Sequence, residues 1–237
     1  MPDVRKAAAA AAALLFFAGT ACAEPALWKV SGGRSTVYLF GSVHLLPEGG
    51  FSVEGDLADA LEEADKVCLE IDAGEADEAT TASVTLARAV DPEGRDLFEL
   101  LGEDADRVRE RAADAGIDLE ALGYDAQHGV EQVVEAAARK AGKSGCGRET
   151  IDGQLGILDG LSEDLQKEML VQAIDEAGDF ERQIEPMLDA WRDGDERGLE
   201  QSLDDEFEGY PELADVLIYD RNAAWADQVD EMLKGDE

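Results

Sequence analysis

Short strand-like segments stand on both sides of a long helical stretch in this 237-residue chain. Segment 36–40 is mostly β-branched and aromatic, segment 66–72 alternates apolar and polar residues, and segment 144–149 has the length of a further strand. Residues 75–140 are acidic, alanine-rich and helical in pattern, and more helices are predicted over 162–234. This order predicts an α/β or α+β fold, with a small central mixed β-sheet and a large helical insertion at about 75–140.

The predicted sheet is small for the number of helices. Two or three strands are fewer than a typical sheet contains. We therefore expect a sheet that is incomplete at its C-terminal end, with further chain after residue 237.

The charge of the chain excludes some classes of partner. It has 56 Asp and Glu residues against 20 Lys and Arg residues, which gives a formal charge of −36. Phosphate groups would be repelled along most of such a surface, so we expect no nucleic acid partner. Hydrophobic residues make up 45% of the chain, enough for a core. The acidic excess is typical of a protein that stays soluble at high salt, where self-repulsion is screened.

Residues 1–23 have the layout of a secretory signal peptide. A basic start precedes an apolar run over 7–18 that is too short to span a membrane, and Ala21-Cys22-Ala23 has the small residues of a cleavage site. We therefore predict an exported protein, periplasmic or secreted, whose mature chain 24–237 is a single domain with no membrane span. A lipoprotein anchored through Cys22 is the less favoured alternative.

Candidate site residues stand near the ends of the predicted strands. His44, one of two histidines, follows the first of these strands, three residues after Gly41. Strand ends are where α/β sheets place their sites. Glu70 lies near the end of the second strand and Glu149 at the end of the third. If these strands are neighbours, one imidazole and two carboxylates meet at one edge, a set that binds a divalent metal ion or works as acid and base.

Two cysteines precede these glutamates. Cys68 is two residues before Glu70, and Cys146 is three residues before Glu149. If the glutamates converge, the cysteines lie close as well, and an oxidising compartment would favour a disulfide between them. Two buried thiols remain the alternative.

Five blocks of the sequence, in order, resemble the TraB/PrgY/GumN family. The similarity covers nearly all of the mature chain. The matching blocks are Leu27–Val30 with Thr36–Pro47, then Cys68–Asp72, Gly123–Asp125, Gly147–Thr150 with Gln154, and Arg221–Trp225.

The resemblance implies an activity and a set of site residues. The family is related to the Tiki proteins, which are metal-dependent proteases, and its site uses a Gly-x-x-His motif, acidic residues on following strands and an arginine. Carried over to this sequence, the motif histidine is His44, the acidic residues are Glu70 and Glu149, and the arginine is Arg221. His44 would ligate a divalent metal ion, the glutamates would bind it or activate water, and Arg221 would stabilise an oxyanion.

One departure leaves two functional hypotheses. The family has a second Gly-x-x-His near its end, and the segment after Arg221 contains none up to residue 237. The first hypothesis is an exported metal-dependent hydrolase, acting on a peptide or other small-molecule substrate, whose sequence lacks its last part. The alternative is a non-catalytic binding or interaction protein that retains the fold.

Overall fold

The computed structural model describes residues 24–72, 78–114, 124–177 and 180–235. The predicted signal peptide and Gly123 of the third family block lie outside the described residues. Among the helices that are described, none has the length and the apolar character that crossing a membrane requires.

The predicted α+β class is confirmed, with the strands divided between two small sheets. Strands β1 (Leu27–Ser31) and β2 (Thr36–Phe40) form an antiparallel hairpin. Strands β3 (Lys66–Ile71) and β4 (Ser144–Glu149) pair in parallel. Strands β2, β3 and β4 match the predicted segments 36–40, 66–72 and 144–149. In β2 and β3, β-branched or alternating residues favour extended backbone.

Helices occupy most of the remaining described chain. They are α1 (Gly55–Glu63), α2 (Glu78–Arg88), α3 (Leu97–Leu101), α4 (Ala105–Asp114), α5 (Val130–Lys140), α6 (Ile151–Asp159), α7 (Glu163–Glu176), α8 (Phe180–Arg192), α9 (Glu196–Glu206), α10 (Pro211–Ala214) and α11 (Asp220–Lys234). Besides α1, one described helix lies outside the helical stretches predicted over 75–140 and 162–234, namely α6. Its two internal glycines weaken the helical pattern, but Thr150 caps it by accepting a hydrogen bond from the Gly153 N–H at 3.0 Å.

A buried cluster fixes the chain that follows β2. Leu46, Val130, Leu188 and Trp191 are at most 4% exposed and pack together. The Trp191 indole also donates a hydrogen bond to the Gly41 carbonyl at 2.9 Å. This cluster therefore holds the segment that carries the Gly-x-x-His motif against α5 and α8.

Backbone hydrogen bonds fix the same segment on both sides of His44. The Val130 N–H, at the start of α5, donates to the Val43 carbonyl at 3.0 Å. The Asp125 N–H donates to the Leu46 carbonyl at 3.2 Å in a short antiparallel bridge. His44 is thus held between two fixed points beside the first turn of α5.

The turn of the β1–β2 hairpin lies against the C-terminal end of α11. The Arg34 N–H donates to the Leu233 carbonyl at 2.7 Å. A Cβ added to Gly33 would lie 1.9 Å from that carbonyl oxygen, so this close approach requires glycine. The contact anchors one end of α11, whose other end carries Arg221.

A disulfide joins β3 to β4. Cys68 and Cys146 are directly opposite in the parallel register, with their Cα atoms 4.5 Å apart. The predicted disulfide is confirmed, and the alternative of two thiols is set aside. The two strands that carry the predicted glutamates are therefore covalently tied close to those residues.

Candidate functional site

The described structure brings three predicted residues together at the carboxyl ends of β3 and β4. Glu70 is the last residue but one of β3, and Glu149 ends β4, where it is in register with Ile71. Arg221 is the second residue of α11. Parallel strands end at the same edge, so the two carboxylates face the same helix end there.

Arg221 binds both carboxylates at once. Its Nε donates to Glu149 Oε1 at 3.0 Å, and its Nη2 donates to Glu149 Oε2 at 3.0 Å, which makes a bidentate pair. Nη2 also donates to Glu70 Oε1, and Nη1 donates to the Leu217 carbonyl at 3.3 Å. Within the described part of the chain, four of the five guanidinium N–H groups are therefore used and one on Nη1 remains.

Two further residues complete this cluster, which we call the carboxylate cluster (Glu70, Glu149, Gln154, Arg221 and Trp225). The Gln154 amide donates to Glu70 Oε1 and, at 3.0 Å, to Glu149 Oε2. The Trp225 indole donates to Glu149 Oε1 at 2.7 Å. Sequence reasoning assigned no role to these two residues. The available signal was position: Trp225 is one helical turn after Arg221, and Gln154 lies in the first turns of the helix after Glu149.

Together, the hydrogen bonds to Glu149 affect its pKa more than its burial does. Burial raises the pKa of Glu149, but hydrogen bonds from Arg221, Gln154 and Trp225 bring that pKa below its usual range. The hydrogen bond to Glu149 raises the pKa of Arg221, which stays charged. Glu149 and Arg221 are thus both charged near neutral pH.

His44 lies beside the carboxylate cluster and bonds to a different acid. Its Nδ1 is 2.8 Å from Glu131 Oε1 on α5, and the Ser42 hydroxyl donates to the same oxygen at 2.6 Å. The His44 side chain is 71% exposed, and none of the described residues bonds its Nε2. Charge interactions with Glu70 and Arg221 show that the imidazole lies within electrostatic reach of the cluster.

The His44–Glu131 pair shifts both pKa values in the direction of an ion pair. The hydrogen bond to Glu131 raises the pKa of His44 above its ordinary value, against a smaller effect of burial. Burial raises the pKa of Glu131, but hydrogen bonds from His44 and Ser42 outweigh it, so that pKa is lowered. The sequence pattern did not indicate Glu131, since nothing in α5 distinguishes it from the other acid of that helix, Glu135.

Of the three residues predicted to hold a metal ion, Glu149 has its whole carboxylate engaged within the cluster in this arrangement, whereas His44 and Glu70 each keep an atom that is not engaged. Both carboxylate oxygens of Glu149 accept hydrogen bonds within the cluster. None of the described residues forms a hydrogen bond with Nε2 of His44 or with Oε2 of Glu70. Among the described residues, no group of three His, Cys, Asp or Glu side chains is placed to hold a metal ion. A ligand role for Glu149 stays a prediction, and it requires Arg221 to release that carboxylate.

A cavity of about 430 Å³ lies elsewhere, along β3, β4 and α5. Its lining includes Leu69, Arg139, Lys143 and Cys146 and none of the four predicted site residues. The candidate site therefore lies outside this cavity, at the carboxyl ends of β3 and β4.

Fold and site together define an α+β protein with a carboxylate–arginine cluster at the ends of a disulfide-tied parallel strand pair. The model of the TraB/PrgY/gumN family matches residues 26–123 and 115–237 of this chain. The chain belongs to this family, as the sequence blocks predicted. No match was found among curated proteins or among solved structures.

Proposed function

We propose that the protein is an exported hydrolase of peptide-type bonds that acts at the rim formed by His44 and the carboxylate cluster, with a divalent metal ion as cofactor. The observation that carries the proposal is that Glu70, Glu149 and Arg221, up to 151 positions apart, share one hydrogen-bonded cluster beside an oriented histidine. The disulfide between β3 and β4 supports export, because such bonds persist in oxidising compartments.

Three residues of the rim have an atom suited to hydrolysis. His44 presents Nε2 to solvent, and such a nitrogen takes up a proton or holds a metal ion. Glu70 keeps Oε2 for the same purposes. Arg221 keeps one N–H of Nη1 to donate to negative charge that develops on the substrate. A divalent metal ion held by His44 and Glu70 would supply a water of lowered pKa.

A metal-binding and hydrolysis experiment tests the proposal. The exported protein is equilibrated with Mn²⁺, Co²⁺ or Zn²⁺ and dialysed; bound metal is measured by mass spectrometry and hydrolysis with quenched fluorescent peptides. His44→Ala should lose the bound metal and about 100-fold or more of the hydrolysis rate. His128→Ala is the matched control, because His128 lies in the turn Ala126–His128 and takes part in none of the hydrogen bonds of the cluster that the described residues form. Equal metal content and equal rates in the two variants would refute the proposal.

One observation favours a second candidate function, a non-catalytic interaction protein. Arg221 pairs with both glutamates, and such a network also serves to tie strands to a helix without any chemistry. In that case the folded protein would hydrolyse no peptide with any of the three metals, and Glu70→Gln would change stability alone. Hydrolysis that depends on Glu70, with Glu135→Gln as the control on α5, would exclude this second candidate.

A further inference from the structure

Glu131 makes a contact with His44 that the family resemblance did not indicate. It is the second residue of α5, and its side chain is 17% exposed while the imidazole is largely in solvent. One carboxylate oxygen, Oε1, receives both the Ser42 hydroxyl at 2.6 Å and His44 Nδ1 at 2.8 Å. The more buried, better-held partner is thus the acid, and the imidazole is oriented by it.

The backbone makes this arrangement rigid. The Val130 N–H donates to the Val43 carbonyl, so the residues directly before Glu131 and His44 are joined to each other at 3.0 Å. An acidic residue in the first turn is also favoured by the helix dipole. The position of the carboxylate relative to the imidazole is therefore set by main chain as well as by side chains.

Chemistry then fixes the proton on the imidazole. An ionised carboxylate only accepts hydrogen bonds, so Nδ1 must donate. We propose that Glu131, supported by Ser42, is a positioning residue that holds a proton on Nδ1 of His44, so that the neutral imidazole has its lone pair on Nε2. The inference rests on the proposed function for its catalytic meaning: a lone pair on Nε2 is what a base or a metal ligand needs.

Nitrogen NMR of the imidazoles tests this directly, without metal or substrate. The chain has two histidines, so His128→Gln identifies the His44 signals. At a pH where both imidazoles are neutral, His44 Nδ1 should show a protonated, pyrrole-type shift and Nε2 an unprotonated, pyridine-type shift. Glu131→Leu removes the acceptor and should move the proton to Nε2, the tautomer that free histidine prefers.

Two further variants separate positioning from a general structural effect. Glu131→Gln retains an acceptor oxygen and should keep the proton on Nδ1. Glu135→Leu removes an acid one turn later on α5, where it pairs with Arg139, and should leave His44 unchanged. A wild-type His44 protonated on Nε2 would overturn the inference, and so would a folded Glu131→Leu protein with the proton still on Nδ1. The wild-type spectrum tests the position of the proton even if a variant does not fold. If His44 carries its proton on Nδ1 but His44→Ala changes neither hydrolysis nor bound metal, the proposed function is overturned and the positioning role of Glu131 is not.

Discussion

Replacing Arg221 with methionine removes the cation that both glutamates share. Methionine keeps an unbranched side chain of similar reach and leaves helix propensity almost unchanged. Glu149 would keep its hydrogen bonds from Gln154 and Trp225, while Glu70 would keep only the one from Gln154. The variant therefore removes the charge pairing while it leaves helix α11 in place.

The exposure of the three charged side chains sets the magnitude. Glu149 is 15% exposed, and Glu70 and Arg221 are each 25% exposed. Removing one partner of a fully buried pair costs about 3–5 kcal/mol, and a surface pair contributes up to about 1 kcal/mol. For a cluster between these limits, we expect Arg221→Met to lower the free energy of unfolding by about 2–4 kcal/mol near neutral pH.

The pH dependence of this loss has a defined sign. The pKa of Glu149 is lowered from 4.5 in the folded protein, so its stabilising contribution is present above 4.5 and is lost as the pH falls through the folded pKa. Without Arg221, burial raises the pKa of Glu149, and its protonated form no longer needs a cation. The difference between wild type and variant should therefore shrink as the pH falls below 4.5.

Urea unfolding of the disulfide-bonded protein measures the loss. The control is Arg192→Met, which removes the same charge from an exposed pair with Asp189 at 3.1 Å. This control should lower the free energy of unfolding by less than about 1 kcal/mol. Because both variants lose one positive charge, long-range effects of net charge are common to the two. A loss in Arg221→Met equal to that of the control, or one independent of pH, would refute the reasoning.

Three other perturbations have expected outcomes. Replacing Cys68 and Cys146 by serine opens a connection that spans 78 residues, and we expect unfolding in urea to show a loss of about 4 kcal/mol by loop closure. Gly33→Ala places a Cβ against the Leu233 carbonyl oxygen, and a loss of about 1–3 kcal/mol in the same assay should follow from the forced shift. The raised pKa of His44 stabilises the fold below about pH 6.5, and this contribution should disappear as the pH rises through the folded pKa.

Matched controls give each of these outcomes a point of comparison. Reductant should destabilise the wild type and leave the serine variant unchanged. Gly145→Ala adds a Cβ that meets no atom within 4 Å, and it should be close to neutral. Glu131→Gln should remove the His44 pH dependence, while Glu135→Gln should keep it. If a control variant changes stability or its pH dependence more than the variant it is matched to, the contact that this pair tests is contradicted.

Local sequence patterns were sufficient for the strands and for the meeting of the two glutamates. The strict alternation over 66–72 defines β3, and the short 144–149 segment is β4. Because both glutamates follow cysteines at nearly the same spacing, one strand pairing places the disulfide and the carboxylates together. The strand patterns therefore predicted that two distant glutamates meet, given the single assumption that their strands are neighbours.

Contacts that depend on packing between distant elements could not be read in the same way. The strand alternation does not say that β2 pairs with β1 and leaves β3 to a separate sheet. Glu131 reaches Ser42 across 89 positions, and nothing in α5 distinguishes its acid from Glu135. These features arise from the buried cluster around Leu46, which decides how α5 lies against the segment after β2.

Stability alone does not require charged side chains in the carboxylate cluster. Apolar side chains that fill the same space are often as stable as a partly buried ion pair, or more so, because they need no desolvation of charge. Here donors from α6 and α11 hold two glutamates at the end of a disulfide-tied strand pair, beside a histidine whose side chain is largely exposed. The unfolding experiment on Arg221→Met measures what the cluster contributes to the fold, and peptide hydrolysis measures what it contributes to chemistry. A Glu149→Met/Arg221→Met protein that retains its stability and loses hydrolysis would assign the charges to function.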